Sequence, residues 1–336
     1  MNQGVFGMTG WSERFRAVWV AACLSIGLSG CGEPPRPPLT VGINTWVGYD
    51  PLVLARDRGM TDRQIVKVVE LISSAEALRH LRNGLLDAAA LTLDETLRLA
   101  DSGFDVRIIA LLDTSDGADV VLAAPDVRAL ADLRGRSIAV EEASVGTLVL
   151  ERLLKKAGLT SADVSVVKME STQHLTALQS GRVSVAVSYA PIEGAIRRAG
   201  YRRIFDSRQM PGEILDVLVV RGEVLRERPA AVDALLAAWN GGLNVLRLDA
   251  VGAAASLGPG ADLSTRDYLD VLKGLRFFSP DESLHLLAGS EPGLVGLGQP
   301  VAETLMSLGL LSKFPNWAAL IDSAPAERAP QAGLLP

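Results

Sequence analysis

LRNGLLDAAAL, residues 81–91, returns in altered form as LQSGRVSVAVS, residues 178–188. Each copy opens on leucine, has glycine three residues on, and closes on a short apolar run. The offset is 97 residues, and it recurs. VGINT from Val41 falls on IAVEE from Ile138, and Ser74 and Leu78 fall on Ser171 and Leu175. Asp119-Val120-Val121 falls on Asp216-Val217-Leu218. Four segments sharing one offset predict two lobes of like topology.

Each copy alternates apolar runs with amphipathic stretches. LTVGI and RSIAVE read as first strands, QIVKVVEL and VSVVKM as second, DAAAL and VSVAVS as third. Apolar runs of this length alternating with helices indicate parallel βαβ units, whose strands are covered on both faces. The expected fold is α/β, with two Rossmann-like lobes. The segments 114–124 and 212–220 leave the two copies and serve as a two-strand hinge. Lobe 1 is then 39–115 with 221–322, and lobe 2 is 116–220. Beyond the second crossing, Pro229 to Leu248 reads as a long helix with Val232, Leu235, Leu236, Trp239, Leu243 and Leu246 on its apolar face. Further helices are expected around 264–274, 280–289 and 299–310. The tail 323–336, rich in Ala and Pro, is expected to be disordered.

Residues 1–30 read as an export signal. Arg14 and Arg16 precede an apolar stretch, 17–28, that is too short for a permanent span. It ends in Leu28-Ser29-Gly30-Cys31, which resembles a bacterial lipobox and implies lipidation at Cys31. Residues 31–38 form a proline-rich tether of about 3.1 Å per residue, roughly 20 Å in all. Gly32 is not the Asp that signals inner-membrane retention in many such lipoproteins, so the target membrane stays open.

Composition excludes several functions. The net charge is −6, and −7 without residues 1–30, with no basic run, so nucleic acid is not an expected partner. The two cysteines are Cys23, in the signal, and Cys31. The expected mature domain therefore has no disulfide and no thiol chemistry beyond its anchor. His80, His174 and His285 lack ligand spacing, and no metal or cofactor is expected.

Ligands of open parallel sheets sit outside the carboxyl ends of the strands, where helix N-termini offer unpaired N–H groups. Trp46 and Tyr49 follow the first strand, with Asp50 as expected N-cap and Pro51 as first helical residue. The two rings either flank the cleft or cap the lobe's core. Ser73 and Ser74 follow the second strand as hydroxyl donors or a plain cap. Thr92 follows the third, with Asp94 as expected cap. In the second copy, 143–147 (ASVGT) opens a helix with residues small enough for backbone N–H groups to approach a ligand, and Tyr189 follows the third strand. Asp116, Gly117 and Asp119 lie on one crossing and Asp216 on the other, as structural caps or partners for a ligand amine.

VGINTWVGYDPLVLARDRGM, SSAEALRHLRNGLLDAAALTLDE, DGADVVLA, LADLRGRSIAVEEASVGTLVLERLLKKAGL, SGRVSVAVSYAPI and PGEILDVLVVR span roughly residues 40–245 in order. In these segments the chain resembles the periplasmic substrate-binding proteins that serve ABC importers of nitrate, sulfonates, taurine and thiamine-pyrimidine precursors. The resemblance implies a type II periplasmic binding protein fold, closure around a small solute and delivery to a membrane permease by a monomer. It implies location in the periplasm or at the cell surface, and no enzymatic conversion. It places the pocket at Trp46, Gly48, Tyr49, Ser73, Ser74, Thr92, Asp119, Ser144, Gly146 and Tyr189. Ser184 stands where that group usually has Asp. A fungal pyrimidine-synthesising enzyme of the same fold carries a cysteine cluster that this chain lacks. A Ser/His/Asp hydrolase would need a histidine beside a nucleophile. Presentation of ligand to a membrane sensor kinase would use the same closing motion.

The expected pocket loops, 44–50, 73–75 and 143–147, hold no Arg or Lys. Asp94, Glu95, Asp116, Asp119, Glu141, Glu142 and Asp216 lie near them. That balance suits a zwitterion or an amine-bearing ring better than nitrate.

Overall fold

The computed structural model describes Met1, Gly4 and residues 36–329. The export signal, Cys31 and most of the tether lie outside the described residues, as do 330–336. Among the described residues no helix is long and apolar enough to cross a membrane. The body begins at Pro38.

The body contains a six-stranded and a five-stranded sheet. The first sheet opens with β1 (Leu39–Ile43), β2 (Val66–Glu70), β3 (Ala88–Thr92) and β4 (Val106–Ser115). The chain then crosses to β5 (Asp119–Ala123), which joins β6 (Ser137–Val140), β7 (Ser165–Lys168), β8 (Val185–Tyr189) and β9 (Arg202–Asp206) in the second sheet. It returns through β10 (Leu215–Arg221) to the first sheet, whose edge β11 (Leu275–Phe277) completes. The strand orders are β2-β1-β3-β10-β4-β11 and β7-β6-β8-β5-β9. Apart from β11, the two orders match strand for strand.

The repeat holds at the level of register. Val41 pairs with Ala88 in the first sheet, and Ile138 with Val185 in the second, both members displaced by 97 residues. β1, β2 and β3 are parallel, as are β6, β7 and β8. Each sheet is not wholly parallel, however. β10 runs antiparallel between β3 and β4, and β5 antiparallel between β8 and β9. Each copy thus takes its central antiparallel strand from the chain that has just crossed over. β10 therefore belongs to the first sheet, so the expected second lobe, 116–220, ends earlier, before Leu215. The strand's apolar run, Val217–Val220, gave no sign of which sheet it joins.

The helix Pro229–Leu248 buries Val232, Leu235, Leu236, Trp239, Leu243 and Leu246, the expected face. It lies against the helix Asp50–Asp57. Gly242 makes that crossing possible, because a Cβ there would overlap the carbonyl of Pro51. Thr265–Leu272 and Pro280–Leu287 match the expected helices. The last expected helix starts earlier, at Gly293, and carries Pro300 inside it. The tail also differs from expectation. Ala324–Arg328 is helical, with Pro325 buried and Arg328 bridged to Asp233 at 2.8 Å. Proline in the first turn is compatible with a short docked helix.

Candidate ligand-binding site

A cavity of about 30 Å³ lies between the two lobes, outside the carboxyl ends of β1, β3, β6 and β8. From the first lobe Trp46, Tyr49, Ser74 and Thr92 line it, and from the second Ser144, Gly146 and Tyr189. Asp119 and Asp216 reach it from the strands that follow the two crossings. Two expected pocket residues do not line it. Ser73 is fully buried and accepts a bond from the Glu76 amide at 3.2 Å as the N-cap of the helix Ser74–Arg82. Gly48 sits beneath Trp46, where a Cβ would overlap Trp46 Nε1 and Asp113 Oδ2.

The first-lobe wall is tied together by hydrogen bonds. Trp46 donates from Nε1 to Asp113 Oδ1 at 3.3 Å and from its amide to Asn44 Oδ1 at 2.9 Å. Asn44 Nδ2 donates to Ser74 Oγ at 2.8 Å. Tyr49 donates its hydroxyl to Asp216 Oδ1. Trp46 and Tyr49 are 6% and 2% exposed and pack with the core of the first lobe while lining the cavity. The two alternatives for these rings are thus both realised: the core of the first lobe ends at the cleft. Asp50 is not the N-cap. It is the first helical residue, and its Oδ2 accepts from Tyr268 Oη at 2.5 Å. Nor does Asp94 cap the next helix. Thr92 does, in a reciprocal pair: its Oγ1 accepts from the Glu95 amide at 3.4 Å, and Glu95 Oε2 accepts from the Thr92 amide at 3.0 Å.

The second-lobe wall makes direct contact with the first. The Ser74 amide donates to Glu141 Oε1 at 3.2 Å. The Trp46 and Tyr189 rings meet edge to face at 5.9 Å between centroids. Tyr189 Oη lies 3.0 Å from Ser171 Oγ and 3.5 Å from Thr45 Oγ1. Arg98 Nη2, from the first lobe, donates to the carbonyl of Ala143 at 2.6 Å and to Asp94 Oδ2 at 3.2 Å. Ala143 has φ +59°, a conformation unusual for alanine, so the turn is held in a shape that presents this carbonyl. Ser144 Oγ accepts from the Gly146 amide at 3.1 Å and donates to the Glu141 carbonyl at 3.1 Å. The amide expected to be open to a ligand is therefore already capped within its own turn.

The sequence model of the NMT1-like family matches residues 32–249. The chain belongs to this family. A Brucella abortus (strain 2308) protein named only as a binding protein is 28% identical over 137 residues. That match covers 38% of this chain and 42% of the Brucella protein, so the chain spans less than half the length of the curated relatives it matches. Among solved structures, the alkanesulfonate-binding protein SsuA of Xanthomonas axonopodis pv. citri, bound to MOPS, superposes with TM-score 0.74 at 18% identity. The superposition covers 86% of this chain and 99% of SsuA. The desulfurization enzyme DSZB superposes with TM-score 0.61 at 16% identity, over 87% of this chain and 98% of the enzyme. The two-lobed fold expected from the resemblance is the one observed, and the same fold serves a binding protein and an enzyme.

In this NMT1-like chain the electrostatics of the cleft are acidic. Glu95, Asp119, Glu141 and Asp216 line it, and Asp113 lies behind Trp46. Glu95 and Glu141 were expected only as neighbours; the Thr92-x-x-Glu95 spacing of a capping box is the signal that seats Glu95 at the cleft. Asn44 and Val145, from the expected loops, also line the cavity, as do Val187, Ser188 and Ile214, which carried no signal of their own. Burial pushes Glu95 up to about 8, with the nearby Asp94 adding to the rise. Burial likewise pushes Asp119 and Glu141 up to about 7, with Asp94 and Glu170 respectively contributing. Asp113 rises to about 7 and Asp216 well above its ordinary value, mainly through desolvation. The charge of Asp113 adds to the rise of Asp216. None of the described lining residues is lysine, arginine, histidine or cysteine.

Proposed function

We propose that the chain is the extracytoplasmic solute-binding component of an ABC importer, capturing a small solute by lobe closure and delivering it to a permease. The observation that carries this reading is the Ser74 amide bonded to Glu141 Oε1 across a cavity that both lobes line. A solute held there touches both lobes only when they are closed, so binding favours the closed form. At about 30 Å³ the cavity is far below the ~300–1,000 Å³ of ligand pockets, so the lobes separate to admit the solute. Catalysis is the weaker reading, because the described lining offers no histidine or cysteine to act as base or nucleophile. The family and the fold, shared with SsuA, support transport. Attachment to a bacterial membrane through Cys31 is part of the proposal and rests on Leu28-Ser29-Gly30-Cys31 alone.

Solution scattering with and without solute tests the closure. A radius of gyration that falls on solute binding supports capture between lobes, and solute binding without any change overturns it. Incorporation of labelled palmitate into the wild type but not into Cys31→Ser tests the anchor.

A further inference from the structure

We infer that the cleft takes a small organic cation bearing N–H donors, a primary ammonium or an amidinium, because Glu95, Asp119 and Glu141 line it while no described lining residue is lysine or arginine. The inference rests on the solute-binding reading above and adds the charge of the solute.

An acidic lining alone would say little. The second observation is that Glu95 Oε1 and Asp119 Oδ2 are closed off from solvent without a hydrogen-bond partner, on side chains only 1% and 4% exposed. Ser188 Oγ, on another lining residue, is in the same state. A buried acceptor without a donor is unfavourable, and a ligand N–H relieves it. A positive charge on that donor strengthens each bond and offsets the mutual repulsion of the carboxylates. The aromatic wall of Trp46, Tyr49 and Tyr189 adds faces that attract cations.

Asp216 Oδ2, on a further lining residue, and Asp113 Oδ2 behind Trp46 are likewise without a partner. Arg98 is the cation closest in contact to the site, but it is outside the lining, with Nη2 engaged by Ala143 and Asp94. It pairs with Asp94 and its charge also reaches Glu95, which leaves Asp119, Glu141 and Asp216 without a named cation. A bare metal ion does not fit, since among the described residues no three His, Cys, Asp or Glu side chains are placed to hold one. A sulfonate or nitrate would need the lining carboxyls to stay protonated and act as donors. The two ligand signs therefore move protons in opposite directions. A cation expels them from the site and an anion retains or recruits them.

Calorimetric titration of the full chain at pH 8 tests this with four probes: benzamidine, butylamine, butanesulfonate and nitrate. Repeating each titration in buffers of different ionisation enthalpy reads the protons exchanged. The expected result is binding of benzamidine or butylamine with proton release. Asp119→Asn and Glu95→Gln, each with its melting temperature checked, should weaken that binding at least tenfold. Butanesulfonate or nitrate binding with proton uptake, and neither cation binding, overturns the charge assignment and leaves solute capture standing. Loss of less than twofold in both folded variants also overturns it. If no probe of either sign binds, and scattering shows no closure, solute capture itself falls.

Discussion

Asp119 stands opposite Tyr189 in the second sheet, and Asp216 stands opposite Thr92 in the first. Both members of one pair are displaced by 97 residues from those of the other, so the two aspartates occupy one position of a duplicated sheet. Their surroundings have diverged. Asp216 Oδ1 accepts from the Tyr49 hydroxyl, a bond that Asp119 lacks, while the Oδ2 of each is without a partner. Both line the cleft, but Asp216 is tied to the core of the first lobe by the Tyr49 hydroxyl.

That divergence predicts opposite effects of substitution. Asp216→Ala leaves the Tyr49 hydroxyl without its acceptor, in surroundings closed to water. It should destabilise the fold by about 1–3 kcal/mol, the cost of an unsatisfied buried polar group. Asp119→Asn removes a buried charge that nothing in the protein balances, and should hold or raise the melting temperature at pH 8. Thermal denaturation of both variants checks this, and equal losses at the two positions would contradict it.

Trp46 and Tyr49 are distinguished in the same way. Tyr49 is almost wholly enclosed, so Tyr49→Ala should cost about 3–5 kcal/mol, the range for emptying a large aromatic site. Trp46 carries the edge-to-face contact to Tyr189 of the other lobe. Trp46→Phe should keep most of the packing, lose the bond to Asp113, and weaken solute binding more than it lowers stability. Paired melting and titration curves separate the two effects.

Gly48→Ala should act through its neighbours. The added methyl group has to displace the Trp46 indole or the Asp113 carboxyl, and overpacking of this kind costs roughly 1–3 kcal/mol. A shift in tryptophan fluorescence would report the moved ring. An unchanged spectrum with unchanged stability would mean that the loop yields instead.

The lobes and strand order were legible because the repeat preserves register, as Val41–Ala88 and Ile138–Val185 show. Most of the pocket was legible for a related reason: strand ends of parallel sheets converge, so Trp46, Ser74, Ser144 and Tyr189 meet at one cleft. What the sequence did not disclose depends on tertiary placement. Nothing local distinguishes β10 as a strand of the first sheet. Asp50 and Asp94 both look like caps, but one is claimed by Tyr268, 218 positions away, and the other by Arg98. Glu141 enters the site only because the opposite lobe brings the Ser74 amide to it.

The carboxyl groups of the cleft set the dependence of stability on pH. Glu95, Asp113, Asp119, Glu141 and Asp216 all titrate higher folded than their ordinary values of 3.8 for Asp and 4.5 for Glu. They are faced by Asp94, Glu170, Tyr49 and Tyr189, and by a single arginine among their named neighbours, Arg98. At these groups the folded chain holds more protons than the unfolded chain between about 4 and about 8, whereas buried His174, lowered to about 4, acts in the opposite direction. Stability from these groups is complete below their unfolded values and is lost as pH rises through the folded ones. The melting temperature of the protein without solute should therefore fall from pH 5 to pH 8, and Asp119→Asn should flatten part of that fall. A cationic solute takes over the balancing role of the protons, so the rise in melting temperature that it produces should be larger at pH 8 than at pH 5. A solute-induced rise that shrinks with pH would show that the bound groups keep their protons, as an anion requires.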